Sequence, residues 1–123
     1  MAKSTILARS MILSRKYSKQ PQGRKIMACT VLLELTLKPE AVDGVKEGLK
    51  GMLPDTRAYD GCISVYATQD QDNPTTLVAV EKWESRQHYE KYFAWRQERG
   101  DLDGLADALA GEPSIRYMDT FDE

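Results

Sequence analysis

The stretch LVAVEKWESRQHYEKYFAWRQER, residues 77–99, constrains this chain more than any other. It opens as a strand: Leu77, Val78, Ala79 and Val80 are apolar, and Glu81, Lys82 and Trp83 continue the extended run. The period changes at Glu84-Ser85. Serine is a good helix N-cap, and from Arg86 onward Tyr89, Tyr92, Phe93 and Arg96 recur at helical spacing. A strand thus passes directly into a helix that is loaded with aromatic rings and carries the chain's only histidine, His88. Small-molecule chemistry is expected beneath that helix.

At 123 residues the chain is sized for one domain with a core of its own. No apolar run approaches the ~20 residues of a membrane-spanning helix. The net charge of −2 conceals a division. Residues 1–27 hold seven Lys or Arg and no acid, whereas the rest holds ten bases and all 19 acids. An acidic body argues against nucleic acid as a partner. The first 27 residues read as a basic extension outside the core, disordered or upstream of a start at Met27, with organelle targeting as the alternative. Cys29 and Cys62 have no metal-ligand or CxxC spacing and are expected as free thiols, which fits a cytoplasmic protein.

Along the body, residues 28–123, the pattern gives a strand over 30–37 and a helix from Pro39 that Pro54 kinks or ends. Gly44, Gly48 and Gly51 would let that helix approach the sheet closely. A turn at Asp60-Gly61 leads to a strand over 62–68, and a polar hairpin loop precedes the strand of the opening stretch. A short helical piece follows around Leu102–Leu109, then a last strand over 114–121 with Ile115, Tyr117, Asp119 and Phe121 on one face. The order is β-α-β-β-α-β: an α+β, ferredoxin-like arrangement with an antiparallel four-stranded sheet and helices on one face. Both sheet faces carry apolar groups, Ile63 and Val65 opposite Tyr66 for example. One helix layer cannot cover both, so a homodimer stacked sheet to sheet is expected.

Three stretches resemble the antibiotic biosynthesis monooxygenase (ABM) domain: Arg57 to Cys62, the loop Asp70-Gln71-Asp72-Asn73-Pro74, and Glu81-Lys82-Trp83-Glu84-Ser85. The resemblance covers residues 30–123. It implies a dimeric α/β barrel with a pocket between helices and sheet in each subunit. Some members of that family oxidise quinols or polycyclic phenols with O2, needing neither metal nor flavin; some degrade haem; some have no known activity. In the cofactor-free reaction the deprotonated substrate itself donates electrons to O2 inside an apolar cavity. Many members carry a histidine seven residues after the motif serine, where this chain has Tyr92. The Asn-Trp-His trio of the haem degraders is missing, so haem degradation is not expected.

His88 and Tyr92 are the candidates for proton handling: imidazole exchanges protons near neutral pH, and a phenol can hydrogen-bond a substrate oxygen. A half-exposed histidine and a core tyrosine are the plain alternatives. Tyr66, Trp83, Phe93, Arg96 and Tyr117 are candidates to line the pocket. Trp83 alternatively anchors the helix to the sheet, and Arg96 reaches solvent or an acid. Glu81, beside Trp83, is expected to pair with a basic side chain across the dimer. Two functions follow: a cofactor-independent monooxygenase acting on a quinol-like or phenolic molecule, or a non-catalytic, ligand-binding or stress-associated dimer on the same fold. An isomerase or decarboxylase-like use of the cavity is a weaker third.

Overall fold

The structure is a computed structural model that describes residues 28–122; the basic extension 1–27 lies outside the described residues. Four strands, β1 (Cys29–Thr36), β2 (Cys62–Gln69), β3 (Thr76–Trp83) and β4 (Ser114–Asp119), form one sheet in the order β2-β3-β1-β4. Every neighbouring pair is antiparallel, and the sheet is open, with β2 and β4 at its edges. The expected ferredoxin-like architecture is what is found. Among the described residues no helix is long and apolar enough to cross a membrane.

The register places Val31, Leu33 and Leu35 of β1 opposite Glu81, Ala79 and Leu77 of β3, and Ile115 and Tyr117 of β4 share that face. Three helices cover it: α1 (Val42–Ala58), entered through a 3-10 turn at Pro39–Ala41, α2 (Arg86–Arg99) and α3 (Asp103–Ala108). Beneath them the buried side chains form two clusters. One surrounds Trp83 with Val31, Tyr89, Tyr92 and Phe93. The other joins Leu35, Leu37, Val42, Leu77 and Leu109.

The opposite face has no helix over it. Tyr66 is 64% exposed there, and Met118 also faces outward. Ile63 does not share a face with Val65 as its alternation suggested. Cys62 pairs with Trp83 and Ser64 with Lys82, so Ile63 is the extra residue of a β-bulge and is exposed.

Three other local expectations are revised. Pro54 lies inside α1, which runs on to Ala58. Proline removes one N–H from the ladder, but the last turn is held from the side: Thr56 Oγ1 and Arg96 Nη2 both donate to the Met52 carbonyl, at 3.2 and 3.0 Å. The glycines of α1 do not mediate close packing, since a Cβ at Gly44, Gly48 or Gly51 would meet nothing within 4 Å. β4 stops at Asp119, leaving Phe121 beyond it and almost fully exposed.

Candidate active site

Helix α2 is fixed at both ends by its own sequence. Ser85 has an extended backbone, and its hydroxyl accepts from the His88 backbone N–H, the N-cap expected of it. At the other end Gly100 adopts φ 79, the left-handed conformation that glycine reaches without strain, and its N–H bonds the Arg96 and Gln97 carbonyls. Between these caps Tyr89, Tyr92, Phe93 and Arg96 turn toward the sheet and are buried. Sheet, α1, α2 and α3 do not close on one another. A cavity of about 450 Å³ remains between the two core clusters. Its walls are mostly aliphatic, among them Leu33, Leu35, Leu49 and Leu105, and Gly44, Gly48 and Gly104 contribute no side chain to fill it.

Polar groups reach the cavity from β3, α1, α2 and the turn after α2. Tyr92, Arg96, Thr56, Tyr89, Asp101 and Glu81 all line the cavity. Arg96 is 3% exposed and works as a clip between elements. Its Nε donates to Tyr92 Oη (3.0 Å), Nη1 to Asp101 Oδ2 (2.8 Å), and Nη2 to the Met52 carbonyl and Thr56 Oγ1 (3.1 Å). The Tyr92 and Thr56 hydroxyls are 2.7 Å apart. Burial pushes the Tyr92 phenol above its ordinary value, against the pull of Thr56 and Arg96, so it is a neutral donor near pH 7. Hydrogen bonding from Arg96, with Arg99 alongside, holds the Asp101 carboxyl below the usual range.

Glu81 shares a face with Ala79 and Trp83, as alternation along β3 indicates, but that face is not one on which it could pair with a base across a sheet-to-sheet dimer. It lies on the helix-covered face, 5% exposed, and lines the cavity instead of meeting a base across an interface. Trp83 Nε1 donates to its Oε1 at 3.0 Å, the one hydrogen bond to this carboxyl among the described residues. Burial raises its pKa to about 7 despite that bond. The signal was legible: Glu81 falls two residues from Ala79 and from Trp83, and so shares a face with Leu77 rather than with the solvent-side residues.

The sequence candidates separate into three groups. Tyr92, Phe93 and Arg96 are brought together around the cavity. Trp83 and Tyr117 sit just outside its lining: Trp83 is fully buried with ring centroids 5.0 Å from Tyr92 and 5.7 Å from Tyr89, and Tyr117 packs against Tyr89 with the Arg86 guanidinium 3.7 Å above its ring. Tyr66 and His88 are elsewhere. Strand alternation sends Tyr66 to the uncovered face. His88 lies on the N-terminal turn of α2, where its Nδ1 is 2.7 Å from Ser85 Oγ and its Nε2 4.0 Å from Asp60 Oδ2. Its ring rests on Gly61, where an added Cβ would collide with the imidazole. The position one step off the buried stripe turns the imidazole toward this turn and away from the hollow.

The two cysteines flank Trp83 on opposite neighbouring strands, and both are free thiols. Burial pushes the Cys62 thiol up to about 11. Among the described residues no group of three or more His, Cys, Asp or Glu side chains is placed to hold a metal ion.

A sequence profile described as antibiotic biosynthesis monooxygenase (ABM) matches residues 28–98, more than half of the chain. Similar solved structures include a conserved protein from Methanosarcina mazei Go1, 22% identical with a TM-score of 0.69 over 76% of this chain and 92% of that one. Rv0793 from Mycobacterium tuberculosis is also 22% identical, with a TM-score of 0.69 over 78% and 97% of the two chains. A third structure, named antibiotic biosynthesis monooxygenase, gives 22% and 0.69 over 76% and 98%. At such identities these structures attest the shared fold. No curated protein matches the chain.

Proposed function

The chain belongs to the antibiotic biosynthesis monooxygenase family, and from that premise we propose that it is a cofactor-independent oxygenase acting on a phenolic or quinol-like compound. The observation that carries this reading is the cavity beneath α2, with aliphatic walls for a flat ring and a hydroxyl–guanidinium cluster on one side. An aromatic substrate gains by leaving water for such a site, and its oxygen gains by meeting Tyr92 and Arg96.

Loss of a proton turns the phenol into a phenolate, an electron-rich donor. A hydroquinone passes two electrons and two protons to O2, giving quinone and hydrogen peroxide. A substrate carbon bearing two hydrogens instead becomes a carbonyl, one oxygen atom being inserted while the other leaves as water with both hydrogens. In either case the Tyr92 hydroxyl turns its proton from Thr56 Oγ1 to the substrate oxyanion, and the neighbouring Arg96 charge favours that anion. The aliphatic walls offer no group that competes with Tyr92 and Arg96 for the oxyanion. His88, outside the cavity, has no part in this reading.

We place the protein in a homodimer, with the second copy covering the uncovered sheet face. The exposed Tyr66, Ile63 and Met118 support that cover. Sedimentation equilibrium is expected to give twice the chain mass; a monomer overturns this part.

Oxygen consumption with a panel of hydroquinones and hydroxynaphthalenes tests the activity. Tyr92→Phe is expected to lower the rate at least tenfold, and His88→Ala to leave it unchanged. No consumption by the wild type with any compound, or equal rates in wild type and Tyr92→Phe, overturns the oxygenase. Tight binding of the same compounds without consumption favours the ligand-binding alternative.

A further inference from the structure

The proposed chemistry needs a proton acceptor at the cavity, and five titratable side chains line it: Glu81, Tyr89, Tyr92, Arg96 and Asp101. Four of them are unsuited. Tyr89 and Tyr92 are held as neutral phenols by burial. Arg96 remains a cation at any working pH. Asp101 accepts from both Arg96 Nη1 and Arg99 Nε through its Oδ2, at 2.8 and 3.0 Å, and this makes it a weak base.

Glu81 differs in each respect. It projects from the middle of the helix-covered sheet face into an apolar surrounding, and its only hydrogen bond among the described residues is the Trp83 N–H on Oε1. We infer that Glu81 is the catalytic proton acceptor of this site and that Trp83 is its positioning residue, the indole N–H fixing one carboxylate oxygen so that Oε2 is left to the substrate. This rests on the oxygenase reading for its substrate, though not for the proton transfer. The substrate O–H bond breaks, its electron pair stays on the substrate oxygen, and the proton bonds to the Glu81 carboxylate. The cavity holds one negative charge before and after. That charge moves from a carboxyl without a cation in contact to an oxygen near Arg96 and Tyr92.

The groups that face Glu81 electrostatically are Tyr89 and Tyr92 from α2 and Cys62 from the start of β2. All three are neutral near pH 7, so none offsets its charge, and its proton affinity, with a pKa of about 7, suits exchange with a phenol.

The test uses 4-nitrophenol as a probe that binds without being oxidised. Calorimetric titration at about pH 8, in two buffers of different ionisation enthalpy, reads the protons exchanged on binding. Wild type is expected to take up close to one proton per site, because carboxylate and phenolate can share the cavity only with a proton between them; Glu81→Gln is expected to take up none. In the oxygen assay Glu81→Gln should lose on the order of 100-fold in kcat, and the wild-type rate should rise with pH through about 7, an inflection absent from the variant. Equal proton uptake in the two proteins, failure of the probe to bind wild type, or near-normal turnover by Glu81→Gln overturns the assignment. Proton uptake without any oxygen consumption sinks the oxygenase and leaves Glu81 as an acceptor. Should Glu81→Gln not fold, Trp83→Phe decides: the indole N–H lowers the Glu81 pKa, so its loss must move the inflection of the oxygen-consumption rate above about pH 7, and an unmoved inflection overturns the assignment.

Discussion

Helix α2 has a polar cluster at each end, and the two behave oppositely. At its start Ser85, His88 and Asp60 lie within hydrogen-bonding or ion-pair reach, an arrangement that on paper suggests chemistry. Yet the His88 side chain is 33% exposed, Asp60 more so, and neither lines the aliphatic cavity beneath α2. Their physical task is local: the serine caps the helix and the imidazole lies on a glycine turn. One turn from the other end Tyr92, Arg96 and Thr56 are buried and face an aliphatic cavity. Residue type favoured the first cluster; desolvation and space favour the second.

The largest expected effect breaks the buried end. Arg96→Ala removes four hydrogen bonds and leaves the Met52 carbonyl, Thr56 and Tyr92 short of partners, and should cost about 4 kcal/mol in urea denaturation. The next is a pH dependence. The folded state holds the Glu81 proton more tightly than the unfolded chain, so its contribution is full below pH 4.5 and is lost as pH rises toward about 7. Stability should therefore fall by about 3 kcal/mol across that window from this group. Comparing denaturation midpoints at about pH 5 and about pH 8 checks it, and Glu81→Gln should remove that part of the slope.

At the exposed end the effects shrink. Gly61→Ala forces a side chain onto φ 89 and into the His88 ring, and should cost about 2 kcal/mol by thermal denaturation with substrate binding intact. Ser85→Ala removes the N-cap and should cost about 1 kcal/mol. If Ser85→Ala or Gly61→Ala abolished oxygen consumption while leaving the fold in place, the division between the two clusters would be wrong.

Much of the fold was legible because each element announces its own limits. The N-cap at Ser85 and the end of β3 at Trp83 are short-range effects, and they came out as the pattern indicated. Pro54 does not end its helix because the side chains that steady the last turn come from elsewhere in the chain, Arg96 lying 44 residues from Met52. Of the candidate site residues, the aromatic stripe gave Tyr92, Phe93 and Arg96, which line the cavity, whereas His88 lies on the first turn of the same helix and does not.

What the sequence by itself determined is the set of elements, their order and the buried stripe of α2, since propensity, capping and periodicity act over a few residues. Only the tertiary structure decided that Glu81 and Arg96 meet one cavity while His88 does not. A void is a property of what several elements fail to fill, and a carboxyl's proton affinity depends on neighbours brought from distant strands and helices. Neither can be written in any single stretch of chain.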